Sequence, residues 1–160
     1  MLKANGTLKV ITIVSALFAM QISAAKGIYG SYCSKKNNVM YAPGDYLAFE
    51  SPIITASGIS TDKKGTIFTI SKPGIYQVSF SVRAKSEAST KATSVALELD
   101  NAVIEETQTT STTAEISNAI GIYLIDVKKA GSVLSIKNVS KGKVHILDGL
   151  DLIFNINKIS

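Results

Sequence analysis

The chain of 160 residues has no tryptophan, one histidine (His145) and one cysteine (Cys33). A single cysteine excludes an internal disulfide framework, so the hydrophobic core or oligomerisation must stabilise the fold. A zinc site needs several cysteine or histidine ligands, and two such residues are too few. The sequence therefore predicts no metal site of this kind. The odd cysteine is a candidate for an intermolecular disulfide.

The same scarcity argues against an enzyme. A lone histidine needs a positioned partner to act as a general acid or base, and no nucleophile motif accompanies Cys33. Glu98 and Asp100 lie on one face of a predicted strand, which leaves a polysaccharide hydrolase as an alternative. However, the lack of tryptophan removes the usual aromatic platform of a sugar cleft. We predict no catalytic residues.

Calcium is harder to exclude, because carboxylate and carbonyl oxygens from loops are enough to bind it. Aspartates stand near predicted turns at Asp45, Asp62, Asp100, Asp148 and Asp151. The closely spaced acidic run of an EF-hand loop is missing, and solvated turn aspartates are the ordinary interpretation. We predict no cofactor, although calcium remains a formal alternative without support.

The first 25 residues read as a secretory signal. Lys3 and Lys9 precede and flank an apolar stretch over residues 10–20, and Ser23-Ala24-Ala25 forms a small-residue cleavage site. The uncharged run over residues 10–25 is shorter than the roughly 20 residues that a membrane-spanning helix needs. We predict a signal peptide at 1–25, a secreted or cell-surface location, and no integral membrane span once the signal is removed.

The net charge of +5 does not identify a charged partner. The lysines are scattered along the chain, whereas nucleic-acid binding requires a basic patch or stripe. The sequence therefore predicts no nucleic-acid partner.

Strand-period alternation dominates the remaining sequence. In residues 76–82, Tyr76, Val78, Phe80 and Val82 alternate with polar residues, which predicts a strand with one buried face. Similar short segments recur about every ten residues, a spacing typical of sandwiches and barrels. We predict ten strands, the first over residues 45–50, in a domain spanning 45–160. Residues 26–44 lack sustained periodicity and are predicted to be an extended lead-in.

Two segments carry other signals. Residues 105–115 are rich in threonine and have no apolar face, which indicates a solvated loop or a frayed edge strand. Asn138-Val139-Ser140 matches the N-glycosylation pattern, but such a triplet often occurs by chance.

The strand over residues 119–127 is apolar on both faces as far as Asp126, and the last strand alternates apolar residues over 150–156. A strand buried on both faces needs cover on each. Either a long loop or a second subunit could provide it, and the pattern does not choose between them.

The run FTISKPGIYQVSFSV over residues 68–82 resembles a core motif of the tumour necrosis factor/C1q-like superfamily. VALELDNAVI resembles the hairpin of that family, with Ala102 where glycine is common. VKKAGSVLSIKN resembles a further element, with Ser132 in place of the usual aspartate. The likeness is greatest to the bacterial branch, typified by the C-terminal heads of collagen-like spore-surface glycoproteins. No Gly-X-Y repeat precedes the domain, so the collagen stalk of that branch is missing from this sequence.

The resemblance implies an all-β fold, a ten-strand antiparallel jelly-roll sandwich, that assembles as a homotrimer. It implies that side chains of inner strands meet at the three-fold axis. On this basis the expected trimer interface contains Ile120, Ile122, Tyr123, Leu124, Leu152, Phe154 and Ile156.

The leading hypothesis is thus a non-enzymatic, secreted or surface-associated C1q/TNF-like trimer that acts in protein or surface binding or in surface structure. The first alternative is a carbohydrate- or host-surface-binding adhesin that uses its loop tips, including the threonine-rich segment. The second is the hydrolase on a jelly-roll scaffold. The protein or glycan ligand is not identified by the sequence.

Overall fold

The computed structural model describes residues 27–86, 92–112, 116–148 and 151–160. The predicted signal peptide at 1–25 lies outside these ranges. The described chain forms two antiparallel sheets that pack face to face, which confirms the all-β sandwich prediction. The strands are β1 (Tyr29–Cys33), β2 (Val39–Tyr41), β3 (Ser51–Ser57), β4 (Ile59–Thr61), β5 (Phe68–Ile70), β6 (Gly74–Ser86), β7 (Ala92–Leu99), β8 (Ala102–Val103), β9 (Thr109–Thr112), β10 (Ser117–Val127), β11 (Ser132–Asn138), β12 (Val144–Ile146) and β13 (Leu152–Lys158).

The long strand β6 organises the first sheet. β10 pairs with β6 along one side, and β13 pairs with it along the other. β1 and then β3 follow β13, while the end of β6 also pairs with β12, which in turn pairs with β2. Within the described residues, β10 pairs only with β6 and is therefore an edge strand of this sheet.

The second sheet has the order β4-β5-β11-β7, and β7 pairs with both β8 and β9. β9 comes from the threonine-rich segment, which thus supplies an edge strand, one of the two forms predicted for it. The hairpin between β7 and β8 turns at Asp100 and Asn101, whose φ angles are 51° and 68°. Aspartate and asparagine tolerate this left-handed region, which suits a tight hairpin turn.

The core lies between the two sheets. Tyr76, Val78, Phe80 and Val82 of β6 are all buried, as their alternation predicted. An aromatic cluster fills the centre, where the ring of Phe68 lies 4.7 Å from that of Tyr32 and 4.8 Å from that of Phe154. Each such ring contributes roughly 1.5–3 kcal/mol through burial.

No helix in the described ranges is long and apolar enough to cross a membrane.

The predicted lead-in over 26–44 is wrong as a separate segment. β1 lies inside the first sheet, between β13 and β3, and its Tyr32 is a buried core residue. Strand β1 has only five residues, two of them small on its outward side, so its alternation was too short to recognise. The sandwich thus includes residues that the predicted domain of 45–160 left out.

The first predicted strand also differs from the structure. Residues 45–50 make only one isolated bridge, Tyr46 with Lys137, alongside single backbone bonds such as that from Leu47 N–H to the Ile136 carbonyl (2.9 Å). The segment follows β11 irregularly because its chain direction is set by the turn at Pro43-Gly44 and by insertion of Leu47 and Phe49 into the core. With β1, β2, β4 and β9, the described strands outnumber the predicted ten.

Candidate functional site

On the outward side of the first sheet, the middle parts of strands β10, β6, β13 and β1 carry no charged side chain. We call this surface the uncharged face. The pairing register and the burial of alternate residues place these side chains on it: Ile120, Ile122 and Leu124 of β10; Gln77, Ser79 and Ser81 of β6; Ile153, Asn155 and Asn157 of β13; and Tyr29, Ser31 and Cys33 of β1.

The register arranges these residues in three rows that cross the strands. The first row is Ile120-Ser81-Ile153-Cys33, the second is Ile122-Ser79-Asn155-Ser31, and the third is Leu124-Gln77-Asn157-Tyr29. Charged residues lie beyond the rows, at Arg83 and Lys85 of β6 and at Asp126 of β10. The Arg83 guanidinium lies 3.3 Å from the Asp151 carboxylate, so this part of the rim is paired.

The apolar part of the face is concentrated on its edge. The side chains of Ile120, Ile122 and Leu124 are 59%, 58% and 68% exposed and form one column along β10. The solvated side of an antiparallel sheet is normally polar, and a continuous apolar column beside an uncharged field is unusual there. Depletion of charge is also the compositional mark of the central part of protein interfaces.

A hydrogen-bonded bridge crosses the middle row. The Ser31 hydroxyl donates to Asn155 Oδ1 at 2.6 Å, and Asn155 Nδ2 donates to the Ser79 hydroxyl at 3.2 Å. Ser31 and Ser79 are buried, while Asn155 retains partial exposure. The bridge therefore holds the Asn155 amide at the centre of the uncharged face.

The inward side of β10 is shaped by a glycine. A Cβ at Gly121 would lie 2.6 Å from Phe80 Cζ and would also overlap the ring of Tyr123. The Tyr123 hydroxyl shares a 2.6 Å hydrogen bond with Thr109 Oγ1, which ties β10 to β9 across the sandwich. Tyr123 thus packs against the core edge and is only partly buried, and its place in the trimer interface stays a prediction.

The other six predicted interface residues fall into two groups. Ile120, Ile122 and Leu124 are exposed together, as an interface requires. Three others, Leu152, Phe154 and Ile156, are almost completely buried inside the protomer, so their assignment to a surface is wrong. β13 lies in the middle of the sheet and turns its strictly apolar side toward the second sheet, while Ile153, Asn155 and Asn157 face outward. The sequence shows that apolar and polar residues alternate along this strand, but it does not show which side of the strand faces solvent.

Cys33 is a free cysteine on the uncharged face, in the row of Ile153. Its side chain is only 8% exposed, because the neighbouring strands β13 and β3 flank it. A bridge between protomers needs two thiols that can meet with little backbone movement. The burial of this thiol does not favour such a bridge, and the intermolecular disulfide stays a prediction.

The carboxylates considered for hydrolysis have structural partners. Glu98 accepts hydrogen bonds from the Tyr46 hydroxyl (2.5 Å) and from Lys137 Nζ (2.8 Å). Burial acts to raise the pKa of Glu98, but these two bonds outweigh it and lower the pKa. The Val133 amide, with Ser132 and Lys129, lowers the pKa of Asp100. A glycosidase acid needs a raised pKa, so this pair does not fit the hydrolase alternative.

The aspartates near turns likewise make local bonds. Asp62 accepts from the backbone amides of Thr66 (2.7 Å) and Ile67 (3.0 Å), and Asp45 accepts from that of Ala42 (2.6 Å). In the ranges that the structure covers, no group of three histidine, cysteine, aspartate or glutamate side chains is arranged to hold a metal ion. No described cluster therefore marks a calcium site.

Asn138 has a role that the sequence did not predict. Its side chain is completely buried, and its Nδ2 donates to the carbonyls of Tyr41 and Ala42 at 3.0 Å each. Its Oδ1 accepts from the Ser140 amide at 2.9 Å. Asn138 thus clamps the end of β2 to the turn after β11, and its amide is not available to a glycosylating enzyme in the folded protein.

The other sequence candidates lie apart. His145 is half-buried in β12, where its cross-strand neighbours are Met40 and Lys85. Within the threonine-rich segment, Thr110 Oγ1 shares a 2.8 Å hydrogen bond with Ser94, and Ser111 accepts from the Asn118 amide at 3.2 Å. These side chains therefore contribute to holding the sandwich edge together.

Neither a protein-family model nor a curated protein sequence matches this chain. Solved structures do match it. The Eiger TNF of S. frugiperda aligns with a TM-score of 0.70 at 12% identity, over 84% of this chain and 93% of that one. Murine APRIL gives 0.65 at 10% identity, over 84% and 100%. The globular domain of zebrafish complement 1qA gives 0.63 at 14% identity, over 84% and 98%. The chain therefore has the TNF/C1q-like jelly-roll fold.

Proposed function

We propose that this protein is a secreted or surface-associated, non-enzymatic domain that assembles as a homotrimer through the uncharged face and acts in protein or surface binding. The observation that carries the proposal is the column of Ile120, Ile122 and Leu124 beside an uncharged polar field. The sequence motif over residues 68–82 most resembles the bacterial branch of the superfamily.

The distribution of apolar and polar residues on the uncharged face supports a head-to-tail contact between copies rather than a two-fold contact. Its apolar side chains stand on the edge strand β10, whereas its middle consists of small polar residues of β6, β13 and β1. A two-fold contact joins the same patch on both copies, while a head-to-tail contact joins two different patches and forms a ring when its rotation closes. Placing the β10 column of one copy on the field of the next covers both patches. A ring of three agrees with the assembly that the sequence resemblance implies.

The assembly leaves other surfaces free. The outward side of the second sheet and the loops between strands do not belong to the uncharged face. Ligand contacts of the trimer would come from these regions, where charged side chains such as Glu105 and Lys141 are exposed. The protein or glycan ligand is therefore sought on the trimer exterior.

Light scattering coupled to size-exclusion chromatography tests the proposal on the chain without its first 25 residues. We expect three times the protomer mass at micromolar concentration. Ile122→Lys should weaken association more than 100-fold, because an unpaired ammonium buried in an interface costs several kcal/mol. Val103→Lys is the matched control: Val103 is also an exposed apolar strand residue, but it lies on the second sheet. A monomeric parent chain, or a trimer unaffected by Ile122→Lys, would overturn the proposal.

A further inference from the structure

The free edge of β10 carries backbone polar groups that match the middle of the uncharged face. The backbone N–H of Asn118 donates a hydrogen bond to the Ser111 hydroxyl on β9. This backbone N–H is therefore directed away from β6. Backbone direction alternates along a strand in an antiparallel pair. The N–H and C=O groups of Ile120, Ile122 and Leu124 therefore also face the edge that no described strand pairs with.

The apolar column and this polar edge occur on the same residues. If the column is buried against a second copy, the backbone groups beside it are buried as well. A buried backbone donor or acceptor without a partner costs about 1–3 kcal/mol. The surface that receives β10 must therefore offer hydrogen-bonding groups, and it must offer them without a charge that would itself need a partner.

The Asn155 amide meets this requirement. A side-chain amide has two donors and two acceptor sites. Ser31 uses one acceptor site and Ser79 uses one donor. One N–H and one lone pair of Asn155 remain, on a side chain that is still partly exposed while both of its serine neighbours are buried. The two serines hold the amide across three strands, so its orientation is fixed before any partner arrives.

We propose that Asn155 hydrogen-bonds to the backbone edge of β10 around Ile122 in a second copy, and thereby fixes the register and the number of copies in the assembly. The inference rests on the proposed homotrimer. Contacts of Ile120, Ile122 and Leu124 are non-directional and tolerate a shift along the strand. A polar residue that is buried in an interface is satisfied only in the register that brings its partner to it, and this specificity comes at some loss of stability.

The test compares Asn155→Leu with Asn157→Leu by size-exclusion chromatography and light scattering, with circular dichroism to confirm folding. Asn157 is the next outward-facing residue of β13 after Asn155, and it serves as the matched control. We expect Asn155→Leu to give a mixture of assembly sizes while circular dichroism still shows a folded β protein. Asn157→Leu should keep a single trimer.

Asn155→Asp is the second variant, since it has nearly the same shape and can still accept from both serine hydroxyls. A carboxylate buried in the interface without a cation should dissociate its trimer at neutral pH, with reassembly as the carboxylate is protonated toward its ordinary pKa of about 3.9. A parent trimer in which Asn155→Leu remains a single trimer, or in which Asn155→Asp stays assembled at neutral pH, would overturn this inference alone. A monomeric parent chain would overturn the proposed homotrimer and this inference together.

Discussion

Replacing Asn138 by aspartate tests whether one buried amide clamps β2 to the turn after β11. The change keeps the side-chain shape and the Oδ1 acceptor for the Ser140 amide. It removes the N–H groups that now bond to the Tyr41 and Ala42 carbonyls at 3.0 Å, and it places a carboxylate oxygen against them.

The expected loss follows from these contacts. Two hydrogen bonds have a net value of about 1–3 kcal/mol, and burying a carboxylate beside carbonyl oxygens raises the total loss to about 3–5 kcal/mol at neutral pH. For a chain of this length the thermal midpoint should fall by roughly 6–20 °C. The pKa of the new carboxyl group would be raised in the folded state. The loss is therefore full above that folded pKa and shrinks as the pH falls toward the unfolded value of about 3.9.

Urea denaturation followed by circular dichroism, at equal protein concentrations and several pH values, measures the difference between the variant and the parent chain. Asn38→Asp is the control, because Asn38 is exposed and has a φ of 56° that aspartate tolerates; it should change the free energy of unfolding by at most about 0.5 kcal/mol. An Asn138→Asp variant as stable as the control, or a loss that does not shrink with falling pH, would refute the clamp.

Three further results are expected. Glu98→Gln should lower stability at neutral pH, and the gap to the parent chain should close as the pH falls from about 4.5 through the lowered pKa of Glu98; a constant gap in acid denaturation would contradict this. Gly121→Ala should cost about 1–3 kcal/mol in urea denaturation because its methyl group would overlap the Phe80 ring, and an unchanged midpoint would show that the ring can move. Cys33 should react with a thiol reagent many times more slowly in the folded than in the unfolded protein, and a disulfide-linked species on a non-reducing gel would contradict its burial.

The long strands could be predicted from the sequence because each has enough residues to show its alternation. β6 and β10 together define the packed sheet, and their turn and motif residues identified the jelly-roll fold. β1 could not be predicted, since five residues that include a glycine, a serine and a cysteine show too little pattern. The apolar side of β13 could be recognised from the alternation of its residues. Whether that side faces the core or the surface depends on the position of β13 in the sheet.

The candidate site was predicted only in its apolar part. Ile120, Ile122 and Leu124 were expected at an interface because their strand is apolar on both faces and the family resemblance implies a trimer. The polar part went unnoticed, since Ser31, Ser79 and Asn155 look like ordinary solvated residues until the register brings them together. The clamp at Asn138 was hidden for the same reason: its partners are backbone carbonyls far away in the chain.

The position of β1 has a practical consequence for anyone preparing this protein. The Ile28 carbonyl accepts the Lys158 amide at 2.8 Å, so both ends of the folded region leave the sheet side by side. A recombinant fragment that starts at residue 45 would lack Tyr32, remove its contact with Phe68 and uncover the long flank of β13. Bare strand flanks readily recruit other chains. Such a fragment would precipitate, and its insolubility would be mistaken for a property of the intact domain.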